Sequence, residues 1–521
     1  MPSSKVNPQS HAPAKVAARA ERDGRHSPLS LKLPHPLKLG IASSIVLTLA
    51  SFGGGATRNR GGVLEALNLG FVSYGHGRNF SMLLFWVGLF GLVAAWVLAG
   101  RELVIPQLKA PTEKAFAAMR RWMWMWIAPL ALAGPLASRD VYSYLMQGAM
   151  VRDGFDPYSE GAAVNPGPFL LEVSQDWRNT TTPYGPLHLW LGEGIVRIAG
   201  NEVWLGIILF KVVSLLGFFA IAWAVPKIAT RLGSDPTLAL WLGVANPVMI
   251  LHLIGGMHNE SVMVALVSVG LVLALNRKYV AAIALIAVAV SMKATAFIAM
   301  PFVVWMMVNR FAPAKTSSVA KQCGVFIASG AAMVALTVAV VAAVTWASGT
   351  SWGWIFEITG NSKVINPLAG PTLMADVLTP PLQSFNEELT YNSVISLLRS
   401  IAMVLMLAGM VAAWWLFRKG DNQAIVGTAA AYQVAFIFNS VTLPWYYASV
   451  ITLVAAGRVP LLVTKIATAG SFFVAVSFAG DGNHQLYNWW WVIVAAAAAW
   501  FITSWIYEPL KHPAGAPGSR N

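Results

Sequence analysis

Fourteen apolar runs punctuate this chain, at about 39–56, 80–99, 122–137, 203–225, 236–254, 260–276, 279–292, 294–309, 323–347, 393–417, 423–441, 445–457, 460–479 and 489–507. Crossing the hydrocarbon core of a bilayer takes roughly 20 apolar residues in a helix. Several runs are shorter, and 279–292 with 294–309 reads equally as one kinked region or two short spans. The expectation is an all-α polytopic membrane protein of twelve to fourteen spans. Composition agrees: 56% of the 521 residues are hydrophobic and only 11% charged, against about 25% charged in a soluble domain whose surface must face water. The 22 Trp, 24 Phe and 12 Tyr suit aromatic belts at two interfaces. The single cysteine, Cys323, excludes an intrachain disulfide and a cysteine-based metal cluster.

A net charge of +14 could signal nucleic acid, but its distribution argues for topology. Residues 1–38, rich in Pro, Ser, Ala, Lys and Arg, read as a disordered basic cytoplasmic tail able to contact anionic lipid. With the N-terminus inside, the inner loops hold 25 of the 36 Lys and Arg and the outer loops 8, the bias of the positive-inside rule. Both termini are therefore expected in the cytoplasm, with 39–507 as the transmembrane domain in the plasma membrane and 508–521 as a second cytoplasmic tail. Two long loops, 138–202 and 348–392, fall outside. They carry the densest polar, Pro and Gly sequence, so the chemistry is expected on the extracytoplasmic face.

In the first of these loops Val141, Tyr144, Leu145, Gly148 and Val151 share one helical stripe, predicting an amphipathic helix at the interface that ends at Asp153-Gly154. Asp140 would begin it, where free backbone N–H groups favour a carboxylate. That residue type reads either as a helix cap or as a general base for a sugar hydroxyl. Asp156, Tyr158 and Tyr184 stand in Pro- and Gly-rich turns and either organise those turns or hydrogen-bond a sugar. The fifth run ends in Gly255-Gly256-Met257-His258-Asn259-Glu260, a polar turn or a cluster for a hexose or phosphate. One His beside one Glu is a weak ligand set, so no metal site is assigned and a divalent ion stays open.

Lys293 lies between apolar runs, where a lysine at a helix centre costs about 2.5–3.5 kcal/mol. A phosphate at the outer headgroup level would offset that cost, unless the side chain snorkels to the interface. Lys211 and Arg399 raise the same question outside any polar cluster. The aromatics of Leu443-Pro444-Trp445-Tyr446-Tyr447 suit stacking on a sugar or anchoring at an interface. No Walker loop, dinucleotide fingerprint, nucleophile elbow or zinc-protease motif occurs, which disfavours an ATP-driven pump.

Taken together, Ser138-Arg139-Asp140-Val141-Tyr142-Ser143-Tyr144, Asp156-Pro157-Tyr158, Pro183-Tyr184-Gly185-Pro186, Gly256-Met257-His258-Asn259-Glu260 and Leu443-Pro444-Trp445-Tyr446 carry a resemblance. The chain resembles the actinobacterial polyprenol-phosphate-mannose-dependent α-1,6-mannosyltransferases that build the core of lipomannan and lipoarabinomannan, members of the GT-C class. The resemblance covers essentially everything after the N-terminal tail. It implies a GT-C transmembrane fold, polyprenyl-phosphate mannose as donor, a lipid-anchored mannan as acceptor, and inversion to an α linkage. It also implies an essential acid in an early extracytoplasmic loop. That role maps onto Asp140, although here the acid follows the third apolar run, whereas in many relatives it follows the first.

On this reading Asp140 is the base, and Lys293 with Arg139 stabilises the departing polyprenyl phosphate. His258 and Asn259 hold donor sugar or phosphate, and Tyr142, Asp156, Tyr158, Tyr184, Glu260, Trp445 and Tyr446 face the sugars. No cofactor is assigned. Partners are the two lipid-linked substrates and membrane lipid, with no nucleic acid. Two other expectations remain: a relative moving arabinose or glycosylating protein, and a lipid-linked sugar flippase. A flippase should display paired broken helices in two related halves, and no clear internal repeat is seen.

Overall fold

The computed structural model describes residues 33–59, 61–107, 112–358 and 365–508, so nearly all of both expected tails lies outside the described residues. In chain order the main helices are α1 (Pro36–Gly54), α2 (Gly75–Ala99), α3 (Glu113–Leu130), α4 (Asp140–Arg152), α5 (Pro186–Ala199), α6 (Val203–Leu232), α7 (Pro236–Gly243), α8 (Glu260–Leu275) and α9 (Tyr279–Met292). They continue as α10 (Met300–Phe311), α11 (Val319–Ser348), α12 (Gly370–Phe385), α13 (Tyr391–Leu416), α14 (Asp421–Phe438), α15 (Ala448–Ala456), α16 (Leu461–Val476) and α17 (Trp489–Ile506). Among the described residues there is no sheet, only an isolated bridge between Phe478 and His484. The protein is an all-α, polytopic membrane protein.

Every one of the fourteen apolar runs carries helix, but they do not become fourteen equal spans. Seven helices among the described residues are long and apolar enough to cross a membrane. An eighth span results if Pro236–Gly243 and Pro247–Gly255, bent by 49°, count as one broken element. The remaining runs are shortened where a proline or a polar cluster interrupts them. At 1.5 Å per residue, α8 and α9 rise only about 24 Å and 21 Å, short of the roughly 30 Å hydrocarbon thickness. They are buried along most of their length, so they line the interior of the bundle. Lipid-facing duty falls to helices such as α11, α13 and α17, whose Val338, Trp346, Val404, Val411, Ile493 and Phe501 are exposed.

In lipid, apolar side chains gain little by leaving the solvent, so close helix contacts rest on small residues. Gly217 of α6 meets the backbone of Ser261 in α8, where a Cβ would lie 2.5 Å from the Ser261 carbonyl oxygen. The two long loops fold on this scaffold. Leu136 N donates to the Gly255 carbonyl at 3.0 Å, which joins the stretch before Asp140 to the stretch before His258, and Ala137 N donates to the Gly480 carbonyl at 2.7 Å. Both stretches turn through residues that rarely accept a positive φ, Ala137 at 58° and Met257 at 55°.

The helix that Asp140 begins runs to Arg152 and ends at Asp153-Gly154, with Gly154 at φ 90°. It is not amphipathic, as its stripe suggested. Val141, Tyr142, Tyr144, Leu145, Met146, Gly148, Ala149 and Met150 are all buried, because the rest of the loop folds back over it. The amphipathic member of this loop is α5, with Trp190 and Ile198 exposed and Leu189, Ile195 and Val196 buried.

Candidate active site

Asp140 is the first helical residue of α4, and its backbone N–H donates to Ser138 Oγ at 3.1 Å. Its carboxylate oxygen Oδ2 lies 3.4 Å from His258 Nδ1 and accepts from the Tyr144 hydroxyl at 3.4 Å. That hydroxyl is in turn 3.4 Å from His258 Nδ1, so the three groups form a compact triangle. The Asp140 side chain is 18% exposed, His258 fully buried. Trp445 stacks on the His258 ring, centroids 3.4 Å apart and planes 16° off parallel, which fixes the ring plane. Burial alone would push the Asp140 carboxyl up. The hydrogen bond and charge of His258, the Ser138 hydroxyl and the charge of Lys293 more than reverse this and hold it below the usual carboxylate range. Asp140 is held in its ionised form.

Around it opens a cavity walled by Asp140, Ser143, Tyr144, Gln147, Glu160, Trp177, Thr182, Tyr184 and Tyr446 among others. Behind the wall, Lys293 forms a buried ion pair with Glu260. The Lys293 ammonium also lies 3.9 Å from the ring centre of Tyr446 and 5.6 Å from that of Tyr184. It therefore neither snorkels nor stands alone: a carboxylate and two aromatic faces offset the cost of burying it.

His188 completes the cluster from α5. Its Nε2 lies 3.1 Å from Gln147 Oε1 and its Nδ1 3.3 Å from Asn259 Nδ2. Burial, reinforced by the charge of Lys293, pushes the imidazole down to about 3, so His188 is neutral, donating through Nε2 and accepting at Nδ1. Four buried polar atoms here have no hydrogen-bond partner among the described residues: Ser143 Oγ, His258 Nε2, Asn259 Oδ1 and Glu260 Oε2. Buried polar groups are nearly always paired, so a concentration of spare ones beside a cavity suits a polyhydroxylated ligand.

The structure thus gathers Asp140, Tyr184, His258, Asn259, Glu260, Lys293 and Tyr446 at one site. Other expected site residues are drawn elsewhere. Arg139 points away from the cavity: it donates to the Thr57 carbonyl at 2.6 Å and the Glu172 carbonyl at 2.8 Å, and covers the Tyr142 ring. The Tyr142 hydroxyl is committed to the Ala56 carbonyl at 2.8 Å, and the ring borders a separate cavity with Arg58, Leu132 and Trp204. Helical geometry explains both, since residues 139 and 142 share a face of α4 turned from that of 140 and 144. Asp156 does turn duty, accepting from Tyr158 N at 2.9 Å and from Ser351 Oγ at 3.0 Å. Tyr158 is buried under Gly353. These two tie the two long loops together over the cavity, as does the Thr181 hydroxyl bond to Glu357. Trp445 backs His258, and it is Tyr446 that reaches the cavity wall.

Tyr144, Gln147 and His188 are site residues that sequence reasoning missed. The i, i+4 spacing of Asp140 and Tyr144 could have flagged the tyrosine. Nothing in the sequence near His188 points to Asn259. Among the described residues no group of three or more His, Cys, Asp or Glu is gathered as a metal site would require.

Comparison with known proteins identifies the family. The family described as "Alpha-(1->6)-mannopyranosyltransferase, N-terminal domain" matches residues 37–309, and "MptB C-terminal domain" matches residues 371–507. Alpha-(1->6)-mannopyranosyltransferase A of Corynebacterium glutamicum is 55% identical over 472 residues, 89% of this chain and 96% of its own length. Its namesake in Mycobacterium tuberculosis is 35% identical over 474 residues, 90% of this chain and 89% of its own. An archaeal oligosaccharyltransferase from Archaeoglobus fulgidus, solved with an inhibitory peptide and a dolichol-phosphate, is similar over 80% of this chain and 55% of its own. With a TM-score of 0.35 and 12% identity, that likeness is too loose to carry an argument. The extent and identity of the sequence matches leave one conclusion: this chain belongs to the alpha-(1->6)-mannopyranosyltransferase family.

Proposed function

We propose that this membrane mannosyltransferase works as a GT-C enzyme on the extracytoplasmic face, moving mannose from polyprenyl-phosphate mannose to a lipid-anchored mannan and forming an α-1,6 bond with inversion. The observation that carries the reading is the ionised Asp140 carboxylate, held by buried His258 and Tyr144 at the wall of a cavity lined by polar and aromatic side chains. In a single displacement, Asp140 takes the proton of the acceptor's 6-hydroxyl as that oxygen attacks the anomeric carbon. The bond from that carbon to the phosphate oxygen breaks, and its electron pair leaves with the polyprenyl phosphate. Positive potential from Lys293, behind Tyr184 and Tyr446, favours the developing phosphate charge. Glu260 keeps that ammonium charged in a buried setting. The spare hydroxyl of Ser143, which lines the cavity, is suited to a sugar hydroxyl.

General-base catalysis contributes about 10²–10⁴-fold. Asp140→Asn should therefore lower transfer from radiolabelled polyprenyl-phosphate mannose by at least about 100-fold in membranes holding normal amounts of protein. Near-normal turnover would remove Asp140 from the base role. A panel of polyprenyl-phosphate sugars in the same assay separates mannose from arabinose as the transferred group.

A further inference from the structure

Lys211 is the other lysine that the sequence sets inside an apolar run, and the reaction above does not use it. It lies about two turns into α6 and is 5% exposed. Among the described residues no carboxylate pairs with it. Its ammonium donates to the Ile254 carbonyl at 2.7 Å. Ile254 is the next-to-last residue of the widened helical turns Ile250–Gly255, which lead into the Gly256-Met257-His258 turn.

A helix end leaves carbonyls without partners inside the helix, and its dipole is negative there. At this end the donors can be traced. Gly256 N reaches the Leu251 carbonyl at 2.8 Å, His258 N the His252 carbonyl at 3.4 Å, and Leu136 N the Gly255 carbonyl at 3.0 Å. Lys211 supplies the donor for Ile254. The same stretch of α6 touches the site twice more. Phe210 packs on Tyr144, ring centres 5.9 Å apart, and Ser214 Oγ lies 3.4 Å from Ser261 Oγ, just past the His258 turn. Met257 holds φ 55°, a conformation that costs a non-glycine residue and persists only when its surroundings enforce it.

We propose that Lys211 is a positioning residue: it clamps the end of the broken span so that the strained turn after it delivers His258 to the Asp140 carboxylate. This rests on the reading of Asp140 as the base. Lys211→Met keeps the apolar stem and removes the donor and the charge. The groups facing Asp140 are His258, Ser138, Tyr144 and Lys293, with Tyr184, Glu260 and Tyr446 behind them. Loosening His258 alone from this set weakens what holds the carboxylate ionised.

The experiment measures kcat against pH for wild type, K211M, K211R and D140N, with folded protein quantified by size exclusion. Misplacing a catalytic group by about 1 Å can cost on the order of 100-fold. The expected result for K211M is therefore a kcat loss of about 10–100-fold and an acid limb moved to higher pH, with at least partial recovery of both in K211R. Wild-type kcat in K211M, or a lower kcat on an unmoved acid limb, would overturn the clamp. If K211M does not accumulate as folded protein, Lys211→Leu, which likewise removes the donor and the charge, is judged by the same two outcomes. D140N separates the readings: wild-type turnover there removes the base itself, whereas D140N loss with wild-type behaviour of K211M removes only the clamp.

Discussion

At Asp140, burial favours the neutral acid, while His258, Ser138 and Lys293 favour the carboxylate and prevail. A carboxyl held below its unfolded value contributes stability that is present above that value and is lost as pH falls through the folded one. Catalysis by its ionised form follows the same sign. Transfer by the wild type should therefore stay level from about pH 7 to about pH 5. In His258→Gln the strongest opposition to burial is gone, so the acid limb should rise towards or into that window. Rate against pH in isolated membranes checks this, and an unmoved limb in the variant would show that His258 does not tune Asp140. His188, already neutral with its value pushed down to about 3, does not titrate in this window. Asp140 was legible in the sequence as a candidate because helix starts and carboxylates are local features. Its direct contacts with His258 and Tyr144 were not.

The element that carries this residue is α4, and its position depends on α5. The two helices cross where Gly148 meets the backbone of Gly192: a Cβ on Gly148 would lie 2.3 Å from the Gly192 carbonyl carbon and 2.4 Å from its oxygen. No rotamer can relieve a clash with backbone, so Gly148→Ala must push the helices apart. We expect it to destabilise the protein by about 1–3 kcal/mol and to reduce transfer, since α4 also bears Ser143 and Gln147. Thermal unfolding in detergent and the transfer assay measure the two effects. An unchanged melting temperature would mean that the crossing is looser than its geometry. The period of the stripe from Val141 to Val151 correctly called for a helix. It could not say that protein, and not lipid or water, would cover the other side.

For the whole molecule, the distribution of Lys and Arg predicts an orientation. The outer cavity, the two long loops and the acceptor side should all face away from the cytoplasm. In a Cys323→Ser background, a cysteine at exposed Asn201 should react with an impermeant thiol reagent on intact cells. One at exposed Ala314, in the loop before α11, should react only after permeabilisation. The reverse pattern would put the site in the cytoplasm and end the proposal of an extracytoplasmic lipid-linked donor. By itself the sequence determined what is written locally along the chain: helical membrane class from hydropathy, the turn and start of α4 from Asp153-Gly154 and Asp140, and the polar segments worth attention. Only the tertiary structure decided who meets whom. It paired Lys293 with Glu260 across 33 residues and His188 with Asn259 across 71. It set Trp445 behind His258 and turned Arg139 and Tyr142 to the far face of α4. The physical reason is that helix crossings, fixed by small-residue contacts and short breaks in apolar runs, choose which distant side chains share a site, and no local pattern encodes a crossing.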